Sequence, residues 1–292
     1  MNETTNTTQT TQTARTTETT TENPILVLGA SGKTGRRVAE RLEAAGVTVR
    51  RGSRTASPAF HWEDPASWPA ALEGVTSVYV SYFPDIAVPG APEAIAAFAA
   101  QAERAGVRRL VLLSGRGEVE AQRAEQVIKR PGFEWTVVRA SWFAQNFSEG
   151  AFLGPVLSGE VALPVGDVGE PFVDADDIAD VAVAALTEDG HHGQTYEVTG
   201  PRLLTFAAAI TTIAQASGRE IAFVPIPLDA FTGYLAEAGE PQEVIDILAY
   251  LFTEVLDGRN AHVTDGVFRA LGRAPRDFAD YASTAAENGA WK

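Results

Sequence analysis

The sequence predicts an α/β fold, with helices wound over both faces of a parallel sheet, and three observations predict it. Ile25-Leu26-Val27-Leu28 is an unbroken apolar run, the pattern of a strand buried on both faces. A glycine-rich turn, Gly29-Ala30-Ser31-Gly32-Lys33-Thr34-Gly35, follows directly and opens a helical pattern with Val38, Leu42 and Ala45 on one face. Strand-like and helix-like stretches then alternate at regular spacing to about residue 139, and such alternation makes right-handed crossovers in a doubly wound sheet.

The turn has its own chemistry. Gly29 permits a sharp exit from the strand, Gly32 lets the backbone approach a pyrophosphate, and Gly35 lets the helix pack closely on the sheet. Free N–H groups and the positive end of the helix dipole then face the phosphates. Between a buried strand and an amphipathic helix, this is a dinucleotide site of the Rossmann kind, with candidate contacts at Gly29, Ser31, Gly32, Lys33, Thr34 and Gly35.

Gly46 ends the first helix and Val47-Thr48-Val49 opens a second strand. An acidic residue at the tip of such a strand would accept hydrogen bonds from an adenosine ribose and favour NAD. Here the tip is Arg50-Arg51-Gly52-Ser53-Arg54, with no carboxylate. Ser53 and Arg54 are therefore expected to meet a 2′-phosphate, making NADPH the preferred cofactor. Arg36, Arg37 and Arg41 are expected on a solvated basic helix face. A short third strand is expected at Phe60-His61-Trp62, then a helix over about 65–72. The strand Ser77–Tyr82 enters the crevice with Tyr82 and Phe83 at its end. A helix over about 92–105, a strand Arg109–Leu113 ending at Ser114, a helix over about 119–130 and a strand Trp135–Arg139 complete the alternation.

Beyond about residue 150 the pattern is less regular. Asp174 is expected to cap a helix, with Asp177 closing a capping box. Tyr196-Glu197-Val198 is a late strand, Thr205 caps a helix that Gly218 stops, and Ile221–Val224 is another strand. Helices over about 228–238 and 241–256 carry Phe231, Tyr234, Tyr250 and Phe252, mostly as core. The expected organisation is a disordered Thr-rich tail (1–22), a dinucleotide-binding domain (23–150) and a less regular remainder (151–292).

Composition narrows the functions. A net charge of −15 repels nucleic acid. Cysteine is absent, which excludes disulfides and thiolate catalysis. The four histidines have no metal-ligand spacing, so no metal is expected. No eighteen-residue apolar run predicts a membrane span, and the polar start has no signal-like apolar region, so a cytoplasmic protein acting on a small molecule is expected.

The glycine turn and Arg54 belong to a wider likeness that includes Arg139-Ala140-Ser141-Trp142-Phe143-Ala144-Gln145-Asn146-Phe147-Ser148-Glu149, the block 172–185 and Gly200-Pro201-Arg202-Leu203-Leu204-Thr205. With these residues the chain resembles the NmrA-like atypical short-chain dehydrogenase/reductases over about 24–282, and most of all the branch containing festuclavine dehydrogenase of ergot alkaloid assembly. The resemblance implies an NADP-binding Rossmann domain (23–150), then the remaining Rossmann elements with a small C-terminal α/β substrate lobe (151–292). It also implies quinone, enone or iminium reduction, or the cofactor sensing without turnover of NmrA itself.

Typical short-chain dehydrogenases pair a tyrosine with a lysine four residues on. No tyrosine here has that partner, and the only lysines are Lys33, Lys129 and Lys292. Some relatives place His or Lys where this chain has Ala121; Glu125 follows one turn later, as an acid–base candidate or a structural ion-pair partner. Tyr82 is the other weak catalytic candidate. Without a dedicated proton donor, the expected chemistry is hydride transfer from NADPH to an iminium ion, a quinone or an enone, held by Tyr82, Phe83, Trp142, Phe143 and Asn146, with Phe172 and Tyr234 beyond them. Asn146 serves equally well as a loop fastener. The alternative is a non-enzymatic NADP-sensing regulator.

Overall fold

The computed structural model describes residues 23–292; the expected tail, residues 1–22, lies outside the described residues. Strand β1 (Ile25–Leu28) is buried at every position, as its apolar run requires. It passes through the glycine turn into α1 (Lys33–Ala44), then β2 (Val49–Gly52), a 3₁₀ turn and α2 (Trp68–Leu72). Next come β3 (Ser77–Val80), α3 (Ala91–Arg104), β4 (Arg109–Gly115), α4 (Val119–Ile128) and β5 (Glu134–Ala140). Two short helices, α5 (Asn146–Glu149) and α6 (Leu153–Ser158), lead to β6 (Glu160–Leu163), α7 (Ala175–Thr187) and β7 (Gln194–Val198). The chain closes with α8 (Phe206–Ser217), β8 (Ala222–Pro225), α9 (Leu228–Glu237), α10 (Gln242–Tyr250), α11 (Gly266–Leu271) and α12 (Phe278–Glu287).

Six strands form one parallel sheet in the order β2-β1-β3-β4-β5-β7. Ile25 is in register with Val49 on one side and Ser77 on the other, so the chain reverses its winding direction between β1 and β3. Ligands collect at the carboxyl ends of strands beside such a switch point. Alternate residues separate two cores. Leu26 and Leu28 face Trp62, Trp68 and Phe98, while Val27 faces Val38 and Leu42 of α1 and Ile178 and Val181 of α7. A third core, around Phe147, Phe206, Phe252 and Phe278, joins α8 and α12 to the small parallel sheet β6-β8.

Several elements differ from the sequence expectation. Phe60-His61-Trp62 is not a strand. Phe60 donates its N–H to the Ser53 carbonyl, and its ring packs edge-on to Trp62 and Phe98. Burial of aromatic rings, not ladder pairing, makes that stretch apolar, and β2 is left as the sheet edge. Of the expected solvated face, Arg36 is exposed, but Arg37 and Arg41 are not. Arg36 and Arg37 pair with Glu149, and Arg41 pairs with Asp176 and Asp180 across the α1–α7 contact. Asp174 caps α7 as expected, accepting the Asp176 N–H at 2.8 Å. Asp177 does not close the box; fully buried, it accepts the Arg276 N–H at 2.7 Å and pairs with Arg273 and Arg276. The helix expected to run to 256 ends at Tyr250 and continues as a π-helical turn, Leu251–Val255.

Candidate active site

A cavity of about 580 Å³ opens at the carboxyl ends of β1 to β5, within the range of cofactor and ligand pockets. At one end lies the glycine turn. Gly29 has φ of 66°, and a Cβ on Gly35 would stand 2.2 Å from the Gly29 carbonyl oxygen. A Cβ on Gly32 would stand 3.2 Å from that oxygen. The first turn of α1 leaves N–H groups with no intrahelical acceptor, the donors that a pyrophosphate needs. Lys33 lines this end and, among the described residues, forms no direct ion pair. Burial lowers its ammonium below the usual lysine range, opposed by Glu149 and Asp85.

At the tip of β2, Ser53 and Arg54 line the cavity. Arg50 donates to the carbonyls of Ala71 and Glu73, and Arg51 pairs with Glu43. Arg54 has no carboxylate or carbonyl partner among the described residues; its guanidinium lies over the Phe83 ring, 4.9 Å from the centroid. These residues fit a nicotinamide dinucleotide: a backbone cradle that side chains would fill, beside two cations, Lys33 and Arg54, with no carboxylate pair among the described residues.

The cavity wall also carries Tyr82, whose ring is 4.8 Å from that of Trp62, and Trp142, Phe143 and Asn146, whereas Phe83, expected beside them, stands with Arg54 near the tip of β2. Leu248, Leu251 and Val255 reach the wall from α10 and the π-helical turn, which brings the C-terminal elements over the crevice.

The sequence matches a family model described as NAD(P)H-binding over residues 29–189. The chain belongs to that family. It is an NAD(P)H-dependent oxidoreductase. The chain is 31% identical to an NAD(P)H azoreductase of Xenophilus azovorans over 88% of its own length and 96% of the relative's. It is 30% identical to agroclavine dehydrogenase of Claviceps fusiformis over 89% and 96% of the two chains. The structure of a Citrobacter triphenylmethane reductase complexed with NADP(H) superposes with a TM-score of 0.73 at 20% identity, over 90% of this chain and 99% of that one. Among the described residues no helix is long and apolar enough to cross a membrane, and no cluster could hold a metal ion.

Four expected site residues lie elsewhere in the molecule. Gly35 packs α1 against β1 and does not line the cavity. Phe172 is sealed in the third core between Phe147 and Phe206. Tyr234 is 66% exposed on α9, away from the crevice. Glu125 is not an acid–base group, because it has no solvent exposure and both oxygens are saturated. Oε1 accepts from Ser114 at 2.8 Å and Arg139 at 2.7 Å, and Oε2 accepts from Lys129 at 2.8 Å and again from Arg139. Burial would raise its pKa, but these donors outweigh it and hold the carboxyl below its usual range. Ser114 lines the cavity while its hydroxyl points back to Glu125.

Four carboxyls absent from the sequence expectation also line the cavity: Glu63, Asp85, Glu118 and Glu170. Asp85 follows β3 and accepts the Ala87 N–H at 2.8 Å. Glu118 precedes α4, and its Oε2 is buried without a hydrogen-bond partner. Glu170 accepts the Trp142 N–H at 3.2 Å, and burial pushes its pKa up to about 7. Asp85 and Glu118 follow the carboxyl ends of predicted strands, a positional signal the sequence did contain. Glu170 is paired by backbone to Leu204 and has no local signal.

Proposed function

We propose that the reductase transfers hydride from NADPH to a small, largely apolar, electrophilic acceptor such as an iminium ion, a quinone or a conjugated enone. The observation that carries this reading is the single cavity that joins the phosphate-binding turn to a wall of aromatic side chains. NADPH supplies the hydride when bound. The first turn of α1 holds the pyrophosphate, and Arg54 meets the 2′-phosphate, which favours NADP over NAD. Tyr82, Trp142 and Phe143 exclude water and hold a flat acceptor against the nicotinamide. Asn146 supplies one polar contact in that wall.

The test is stopped-flow oxidation of NADPH and NADH against a panel of quinones, enones and cyclic imines. Turnover with at least one of these classes, faster with NADPH and reduced by Trp142→Ala, is the expected result. Tight NADPH binding with no oxidation by any acceptor refutes the reading and leaves cofactor sensing in its place.

A further inference from the structure

The Glu118 carboxyl is set into the cavity wall at the end of β4. It lies so close over Gly115 that a Cβ there would stand 2.1 Å from Oε2 and 2.2 Å from Oε1. A side chain at 115 would push the carboxyl from this position. Oε2 is buried and meets no donor among the described residues, while Glu118 still lines the cavity. A buried carboxylate oxygen without a donor is strongly disfavoured, whereas a neutral carboxylic acid is not.

The charged neighbours reinforce this. Asp85, in the loop after β3, is a neighbouring carboxyl, and the two share one corner of the cavity wall. Burial raises the Asp85 pKa as well, but the Ala87 N–H at 2.8 Å and the Lys33 ammonium of α1 oppose that, while Glu118 has neither. Arg116, next in the loop, is directed away to Ser141, the Asn260 carbonyl and His262. From α10, the Tyr250 hydroxyl reaches only the Val119 N–H, at 3.3 Å. Burial first, and then Asp85, raise the Glu118 pKa well above its usual range. The corner lies beyond β3 and β4, on the opposite side of the switch point from Arg54, and so on the side of the reacting end of the cofactor.

We propose that Glu118 is the catalytic acid of this site, protonating the oxygen of a carbonyl-conjugated acceptor, a quinone or an enone, as hydride reaches its carbon. The inference rests on the reductase reading above and selects within its acceptor classes. For an enone, hydride forms the new C–H bond at the β-carbon. The C=C pair shifts toward the carbonyl carbon and the C=O pair moves onto oxygen, which takes the Glu118 proton. The acceptor gains two electrons and the nicotinamide loses two. The enol tautomerises to the ketone, and the carboxylate regains its proton from water.

Two readouts test this. Infrared difference spectra of the cofactor-free protein, wild type minus Glu118→Gln, should show a protonated carboxyl at pH 7 that ionises only at higher pH. Single-turnover oxidation of NADPH with matched enone and iminium acceptors should show the ratio of enone to iminium rates falling about a hundredfold or more in Glu118→Gln, the size of a lost general acid. The wild-type enone rate should decline as pH rises through the ionisation seen in the infrared. Glu118→Asp, which keeps an acid, should recover part of the ratio, and it carries the test if the glutamine variant does not fold. A carboxylate already ionised at pH 7, or an unchanged rate ratio, overturns the assignment. Wild-type turnover of iminium but not enone acceptors overturns it while leaving the reductase reading intact. Oxidation with no acceptor at all removes both.

Discussion

Replacing Glu125 with glutamine keeps the shape of a fully buried side chain and removes its charge. Two cations depend on that charge: Lys129 at 2.8 Å, and Arg139, which grips both oxygens. Removing one partner of a buried ion pair typically destabilises by about 3–5 kcal/mol. Arg139 keeps Glu197 at 2.6 Å, and both cations have partial access to water, which lowers the expected loss to roughly 2–3 kcal/mol. At roughly 2–4 °C per kcal/mol for a chain of this size, Tm should fall by about 4–12 °C. The effect should depend on pH with a definite sign. A carboxyl whose folded pKa is depressed stabilises above the unfolded value, near 4.5, and loses that contribution as pH falls through the folded value. The wild type's advantage over the variant should therefore hold at pH 7 and shrink below pH 4.5. Calorimetric melts at several pH values, with NADPH binding and single-turnover rates measured on the folded variant, make the assay. An unchanged Tm together with a hundredfold loss of turnover would show that Glu125 works in proton transfer and that its saturated geometry had been misread.

Arg54→Ala removes one charge-assisted contact of about 1.5–3 kcal/mol, so NADPH should bind roughly ten- to a hundredfold more weakly while NADH is nearly unaffected. Equal losses for both cofactors by calorimetry would remove Arg54 from the 2′-phosphate. Glu170 should act on stability with the opposite sign to Glu125. Its folded pKa of about 7 lies above the unfolded value, so its stabilising contribution is complete below pH 4.5 and disappears as pH rises through 7. Urea unfolding should find Glu170→Gln gaining on the wild type between pH 5 and pH 8, and a difference that does not move with pH would contradict the buried, proton-holding carboxyl.

The cofactor end was legible in the sequence because its determinants are contiguous. The turn from Gly29 to Gly35 and the tip at Ser53 and Arg54 lie at strand ends that hydrophobic pattern alone locates. The aromatic wall was partly legible for the same reason, since Tyr82 and Trp142 follow strands. Phe172 and Tyr234 were not distinguishable from wall residues, because burial in a third core and exposure on a helix are decided by tertiary packing. Glu125 drew attention as an acid on the right helix, and only its four donor contacts show it to be an ion-pair hub. Glu118 went unnoticed because its importance lies in what it lacks, a partner for Oε2, and no local sequence pattern encodes a missing donor. The strand expected at 60–62 failed because aromatic alternation describes a packed loop as well as a pleated ladder.

That loop also determines how the molecule ends. An exposed sheet edge is a template on which a second chain can add a strand, a hazard that proteins counter with short edges and charge. Here β2 spans only four residues, two of them arginines, one directed to the carbonyls of Ala71 and Glu73 and the other clamped to Glu43. Meanwhile the rings of Phe60, Trp62 and Trp68 cover the apolar face beside it without offering a continuous backbone for pairing. The edge is thus closed to strand addition by charge, while Ser53 and Arg54 just beyond it still line the cavity.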